Sequence, residues 1–213
     1  MNILYILGNG FDKALGMATS YPEFYRHLID NVKTGSPLLD KMKSTITSNT
    51  ALWSDMEEGL GEFTAETDSF EDFDNFYFEL SDLLQDYLKN ENERYTPTDK
   101  FKAKFLSDFI AVSKYMGALD KQRYNAFVRK FGFTSKEISV VTLNYTTSLE
   151  KILNVNDGVI NKNLGNNVNL QKIIHLHGQL GKSIIIGVDN ESQIKNVGFR
   201  SNDDFRDFMI KMQ

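Results

Sequence analysis

The sequence of 213 residues is long enough for one domain of ordinary size with a sizeable insertion. Its 41% hydrophobic and 12% aromatic content suffices for a packed core and argues against an intrinsically disordered chain. The formal net charge of −5 is untypical of a dedicated nucleic-acid binder, and the lack of cysteine excludes disulfides and thiolate metal sites.

The N-terminal apolar run is short, lacks a basic start and breaks at Gly8, so it is not a signal peptide. No stretch approaches the roughly 20 apolar residues that a membrane span needs. We therefore expect a cytoplasmic protein that has no membrane partner.

Four short apolar runs predict buried strands, in chain order 3–7, 138–143, 172–176 and 183–188. Continuous apolar runs are typical of a parallel sheet that is covered on both faces. Between the first two runs, apolar residues recur at helical spacing, which predicts a mainly helical insertion over 35–136. Residues 154–169, rich in Asn and Gly, are predicted to form a loop. The order predicts a single α/β domain over residues 1–213.

The segment Gly8-Asn9-Gly10-Phe11-Asp12 follows the first predicted strand and suits a nucleotide site. Glycines let the backbone turn sharply and approach a ligand, and the amides of the following helical turn attract phosphate. Lys13 stands where the dinucleotide fingerprint has its third glycine, so a dehydrogenase-type site is not supported. Because its carboxylate repels phosphate, Asp12 is expected to cap the helix or to bond a ribose hydroxyl. A tight turn without a ligand is the alternative.

A second candidate is Asn144, which ends the strand segment Thr142-Leu143-Asn144-Tyr145-Thr146. Ligands of open α/β sheets bind outside the carboxyl ends of the strands. A carboxamide there donates and accepts hydrogen bonds, which suits a sugar hydroxyl or a water molecule. Alternatively, Asn144 only closes the strand before a helix capped by Thr147 and Glu150.

A third candidate is the run His175-Leu176-His177-Gly178. The two imidazoles would share one face of a strand, but no third ligand accompanies them, so a metal is not expected. A histidine at a strand end before a glycine suits a general base near neutral pH, and we expect the other histidine to be packed and structural.

Five motifs in this order resemble those of the bacteriophage abortive infection AbiH family, and the resemblance spans nearly the whole chain. They are Gly8-Asn9-Gly10-Phe11-Asp12, Thr19-Ser20-Tyr21-Pro22-Glu23-Phe24, Trp53-Ser54-Asp55-Met56-Glu57, Leu143-Asn144-Tyr145-Thr146 and His175-Leu176-His177-Gly178. The resemblance implies defence against bacteriophage. Glu57, which belongs to the third motif, is also explained by a capping box with Ser54. The family usually carries a further Gly-x-Ser-Leu strand segment. Since this sequence lacks one, we expect a truncated chain or a short member.

More distantly, the pattern is similar to the Rossmann-like fold of the sirtuins, which bind a nicotinamide dinucleotide. That similarity implies a parallel sirtuin-like sheet with the helical insertion after its first strand. It assigns the phosphate turn to Gly8 and Gly10, the ribose and the attacking water to Asn144, and the base to His177. The four zinc cysteines of sirtuins are absent, so protein deacylation is not expected.

The expected ligand is NAD or a related nucleotide, without a metal, and the expected reaction is hydrolysis of its N-glycosidic bond. The catalytic residues would be Asn144 and His177. Nucleotide contacts are predicted for Gly8, Asn9, Gly10, Phe11, Asp12, Tyr145, Gly178 and Asp189. The alternative is a nucleotide sensor without turnover. A phage-derived trigger and a homo-oligomer are further expectations, whereas a nucleic-acid partner is not expected.

Overall fold

The structure is a computed structural model that describes residues 1–33, 35–132, 135–156 and 161–211. Over these residues the fold is mixed α/β, with one open four-stranded sheet that is mostly parallel. The strands are β1 (Asn2–Leu7), β2 (Lys136–Thr142), β3 (Lys162–Gly165) and β4 (Val168–His175). The helices are α1 (Gly10–Ala14), α2 (Tyr21–Asn31), α3 (Pro37–Ser48), α4 (Met56–Phe63), α5 (Phe70–Arg94), α6 (Asp99–Ile110), α7 (Ala118–Phe131), α8 (Ser148–Leu153), α9 (Val197–Arg200) and α10 (Asp203–Met209), with 3-10 turns at Leu52–Ser54, Thr64–Glu66 and Glu191–Gln193.

The chain forms two compact units, each made of two segments. The first unit contains Met1–Gly8 and Arg94–Leu176, and the second contains Asn9–Glu93 and the described residues from His177 onward.

The sheet lies in the first unit, with the strand order β1-β2-β4-β3. β1, β2 and β4 are parallel, and β3 is antiparallel to β4. Ile138, Val140 and Leu170 are fully buried. Tyr5 of β1 packs on Phe109 of α6, with ring centroids 4.8 Å apart, and its hydroxyl donates to the Phe109 carbonyl. Apolar burial of this kind stabilises a sheet against its covering helices.

The prediction that both faces of the sheet are covered is wrong at β1. Leu4 and Ile6 are 59% and 68% exposed, and they alternate with less exposed neighbours along the strand. The exposure continues onto the interior strand β4, where Ile174, in the same cross-strand row as Ile6, is 37% exposed, so the described residues cover this face of the sheet incompletely.

Three of the four predicted strands are confirmed, but residues 183–188 do not form one. They make only isolated bridges, from Ile184 to Gly178 and from Val188 to Ile210. The side chains of Ile184, Ile186 and Val188 are nevertheless buried, whereas Ile185 is 41% exposed, and the Tyr77 hydroxyl donates to the Ile186 carbonyl over 2.8 Å. Burial therefore explains the apolar pattern, and a sheet is not required to achieve it.

The predicted loop over 154–169 instead contains β3, while residues 157–160 lie outside the described residues. β3 and β4 are joined at Asn166 and Asn167, whose φ angles are 52° and 58°. Two successive residues with positive φ are typical of the type I′ hairpin turn, and Asn tolerates that conformation well. The asparagines that indicated a loop thus form the turn of a hairpin.

Candidate functional site

Three parallel strands of the first unit end side by side, and the predicted site residue Asn144 lies just beyond them. Leu7 of β1 is in register with Thr142 of β2, which is in register with His175 of β4. The Leu143 amide donates to the Leu7 carbonyl, so the ladder continues past β2. This carboxyl edge is where open α/β sheets bind ligands.

His175 connects Asn144 to a carboxylate that the sequence analysis had assigned to a helix cap. Its Nδ1 donates to the backbone carbonyl of Asn144 (2.8 Å), and its Nε2 lies 2.7 Å from Oε1 of Glu150. A carbonyl only accepts, so Nδ1 carries a proton, and the contact with Glu150 needs a second proton on Nε2 or on Oε1. Thr147 is the N-cap of α8, as predicted, but the side chain of Glu150 pairs with His175.

Two buried polar atoms in this cluster lack hydrogen-bond partners among the described residues. They are Nδ2 of Asn144, a donor, and Oε2 of Glu150, an acceptor. The two residues are 7% and 6% exposed. An unsatisfied buried polar group costs roughly 1–3 kcal/mol, so it points to a partner outside the chain, such as a ligand or a water molecule.

The glycine turn that follows β1 has open space around it. A Cβ atom added at Gly8 or Gly10 would meet no atom within 4 Å, and neither residue has the positive φ that favours glycine. The folded chain itself therefore does not require glycine at these two positions. Open space beside a backbone turn permits the close approach of a ligand.

The remaining residues of this predicted turn lie in the second unit. Asn9 is the N-cap position of α1, and its Oδ1 accepts a hydrogen bond from the Thr19 hydroxyl over 3.0 Å. Phe11 is partly exposed, whereas Asp12, the third residue of α1, is only 1% exposed. Asp12 is therefore not the N-cap residue.

Gly178, predicted to contact the nucleotide, has a local structural reason to be glycine. Its φ is 87°, and a Cβ at this position would collide with the Ser183 carbonyl. The turn brings the chain back on itself, so that the Ile185 amide donates to the His177 carbonyl over 2.8 Å. By contrast with Gly8, this glycine is explained without a ligand.

His177 and Asp189 belong to a cluster of ionisable groups in the second unit. The Lys211 amide donates to the Val188 carbonyl over 2.9 Å, which places Lys211 beside Asp189. The buried Lys211 ammonium pairs with Glu57, whose carboxyl group is also hydrogen-bonded to Asp189. Asp55, not Ser54, caps α4 by accepting from the Glu57 amide, so the predicted capping box is wrong.

These contacts shift two pKa values in opposite directions. Burial raises the pKa of Glu57 against the opposing effect of Lys211, and Asp189 adds to the rise. Burial and the Lys211 charge lower the pKa of His177, which Asp189 partly opposes. His177 is therefore neutral at pH 7 and able to accept a proton.

Functional roles for Glu150 and Lys211 were not predicted from the sequence. Glu150 follows Asn144 by six residues, and the adjacency of β2 and β4 brings it to His175. The pair of Glu150 and His175 can be recognised only once the strand order is known, and a single sequence does not reveal that order. Among the described residues no three His, Asp or Glu side chains are grouped to hold a metal ion. Nor does the described part of the chain contain a helix that is both long and apolar enough to cross a membrane.

Comparison with known proteins gives one match. The family model described as "Bacteriophage abortive infection AbiH" matches residues 4–211, which confirms the resemblance found in the five motifs. No curated protein and no solved structure matches the chain.

Proposed function

The chain belongs to the bacteriophage abortive infection AbiH family, and within the phage-defence role of that family we propose that it binds a nucleotide. The observation that carries this proposal is the pair of unpartnered atoms, Nδ2 of Asn144 and Oε2 of Glu150. They belong to residues at the carboxyl edge of a parallel sheet, where ligands of this fold class bind.

The chemistry of the two atoms matches a sugar hydroxyl. A hydroxyl accepts from an amide N–H and donates to a carboxylate oxygen, so a ribose can supply the kind of partner that each buried group lacks. Gly8 follows β1 at the same edge and leaves space for a phosphate or sugar beside the backbone. Tyr145, also predicted to contact the nucleotide, is 8% exposed.

The reaction we assign to this nucleotide is hydrolysis of the N-glycosidic bond of NAD. Water forms the new bond to the ribose C1′ while the bond to the nicotinamide nitrogen breaks, and nicotinamide leaves with the electron pair. Asn144 would orient the ribose and the water. The similarity to the sirtuins gives His177 the role of the base that takes the proton of the water. The lowered pKa of His177 supports the role of a base.

A second candidate function is a nucleotide sensor without turnover, and one observation favours it. Both ring nitrogens of His175, the histidine next to Asn144, are engaged by Glu150 and by a backbone carbonyl. An imidazole held in this way orients the Asn144 loop and does not serve as a base, so turnover depends on His177 alone.

Calorimetric titration of the purified chain with NAD, ADP-ribose and AMP tests binding. Asn144→Ala should weaken binding by about tenfold or more, because a buried hydrogen bond to the ligand is lost. Asn125→Ala, an exposed position on α7, is the matched control and should bind like the unchanged chain. The proposal fails if none of the three nucleotides binds, or if Asn144→Ala binds them unchanged.

Release of nicotinamide from NAD, followed by chromatography, separates the two candidate functions. The hydrolase predicts turnover that His177→Ala abolishes while nucleotide binding persists. Tight binding without product, also in the presence of a phage lysate as a source of the trigger, identifies the sensor.

We also propose that the sheet is Rossmann-like and sirtuin-like and that the chain is a single domain. Residues 35–136 would form a helical insertion in it. This insertion is supported by the described residues between β1 and β2, which form helices and no strand. Cytoplasmic location, a phage-derived trigger and homo-oligomer formation stay predictions.

A further inference from the structure

The two edges of the sheet in the first unit differ in how they are protected against pairing with another strand. An edge strand carries a row of backbone groups without partners in its own sheet, and proteins protect such edges with short strands, lysine, proline, bulges or a covering segment. β3, at one edge, has four residues, begins with Lys162 and shows an irregular register with β4 between Asn163 and Gly165. This edge is therefore poorly suited to pairing with a further strand.

β1, at the opposite edge, lacks these protective features in the part of the chain that the structure describes. Its six residues, Asn2–Leu7, contain no charged side chain and no proline, and they pair with β2 in an uninterrupted register. The side chains of Leu4 and Ile6 are exposed. A regular, apolar and uncharged edge strand is a ready template for another strand.

The hydrogen bonds to β2 show which backbone groups of β1 are open. The Leu143 amide donates to the Leu7 carbonyl over 2.9 Å, so the carbonyl of Leu7 faces β2. Within a strand, the N–H and C=O of one residue point to the same side, and successive residues alternate. The N–H and C=O of Asn2, Leu4 and Ile6 therefore point away from β2, and no described residue bonds them.

These outward groups make the edge complementary to itself. In an antiparallel pair, residues that lie opposite each other can exchange both of their N–H···O bonds. When Leu4 lies opposite Leu4 of a second copy, Asn2 lies opposite Ile6 of that copy, and every outward N–H and C=O of both strands obtains a partner. The strand has no charged side chain, so this register places no like charges opposite each other.

We propose that the chain forms a symmetric dimer in which β1 pairs antiparallel with β1 of a second copy, with Leu4 opposite Leu4. A two-fold interface uses the same surface on both copies, so it closes after two chains. The protected β3 edge lies at the far end of each sheet and prevents growth into a longer assembly. This interface goes beyond the nucleotide proposal and does not depend on it.

Sedimentation velocity of the full chain measures the dimerisation. A single pair of strands buries less surface than a typical stable interface, so we expect a dissociation constant of roughly 1–100 µM. As the concentration rises through this range, the average mass should increase from the 24.4 kDa of one chain towards twice that value and no further. A chain that stays monomeric at roughly 1 mM overturns the proposal, and so does growth beyond the dimer.

A charge swap at Leu4 tests the register. Leu4 is exposed, so the folded chain accommodates a charged side chain at this position. Leu4→Lys and Leu4→Glu should each dimerise at least about fivefold more weakly, because like charges then lie opposite each other. An equimolar mixture of the two variants should dimerise as well as the unchanged chain or better, since an ammonium then lies opposite a carboxylate. A mixture that stays monomeric overturns the register.

Leu176→Lys is the matched control for these variants. Leu176 follows β4, an interior strand of the sheet, and its side chain is exposed to nearly the same degree as that of Leu4. This variant should dimerise like the unchanged chain. If Leu176→Lys abolishes the dimer and Leu4→Lys does not, two copies meet through another part of the sheet, and pairing of the β1 edges is overturned.

Amide hydrogen exchange reports on the open backbone groups directly. The Leu4 and Ile6 amides should exchange at least about tenfold more slowly where the dimer dominates than where the monomer dominates. The Ile3 and Tyr5 amides face β2 and should be protected at both concentrations. Equal exchange of Leu4 and Ile6 at the two concentrations overturns the proposal. Asn144→Ala should dimerise like the unchanged chain, so failure here and failure of the nucleotide proposal are distinguishable.

Discussion

At the scale of single residues, Asn144 and Glu150 are unusual because each buries one polar atom that the described chain leaves unsatisfied. His175 hydrogen-bonds two other atoms of the same residues, the backbone carbonyl oxygen of Asn144 and Oε1 of Glu150. The Glu150 carboxylate held in this way is preorganised, because it need not reorient when a hydroxyl arrives. A fixed arrangement of this kind fits ligand binding better than a merely structural role.

His177 provides a residue-scale prediction with a clear sign. Its pKa is lowered from 6.5, so as pH falls below 6.5 the unfolded chain takes up the proton first and the folded chain loses stability. Asp189→Asn removes a charge that raises this pKa and should lower it further. NMR titration measures it directly, because the chain has three histidines.

The matched control for this titration is Asp120→Asn, an exposed carboxylate at the start of α7. It should leave the His177 titration where it was. A His177 resonance that titrates above 6.5 in the unchanged chain would contradict the cluster of His177, Asp189 and Lys211.

At the scale of elements, two glycine turns that look alike in sequence differ in their physical cause. Gly178 has a positive φ and faces the Ser183 carbonyl, whereas Gly8 has neither constraint. We expect Gly178→Ala to lower the free energy of unfolding by at least about 2 kcal/mol, from backbone strain and collision.

Gly8→Ala should change stability by less than about 1 kcal/mol, since open space surrounds the added methyl group. It should instead weaken nucleotide binding. Urea unfolding of both variants, with calorimetry of Gly8→Ala, gives the comparison. Equal losses of stability would show that Gly8 is a structural glycine too.

The apolar pattern predicted where strands are buried better than it predicted which segments pair. It identified β1, β2 and β4 by their continuous apolar runs, although β1 exposes Leu4 and Ile6. It failed at 183–188, where an equally apolar segment is buried without a ladder, and at β3, which is a polar edge strand. Asn144 was found because it follows a strand, whereas Glu150 depends on β2 and β4 being neighbours.

At the scale of the whole molecule, the chain passes from one compact unit to the other after Gly8, after Glu93 and after Leu176. If the chain is a single domain, as predicted, both units should unfold in one cooperative transition. Trp53 belongs to the second unit, so its fluorescence follows that unit, while far-UV circular dichroism follows both.

We expect the two urea transitions to coincide, since residues of each unit are connected by three crossings of the chain. Nucleotide at a hundred times its dissociation constant should stabilise the chain by about 2.7 kcal/mol in both signals. Two separate transitions, of which only one moves with nucleotide, would indicate two independent domains.

A crystal structure with carba-NAD, an analogue that resists cleavage of the glycosidic bond, tests nucleotide binding most directly. We predict a ribose hydroxyl within about 3.2 Å of both Asn144 Nδ2 and Glu150 Oε2, at hydrogen-bond distance. A structure in which water alone occupies these two atoms at saturating carba-NAD, or in which the nucleotide binds elsewhere, would contradict the proposed function.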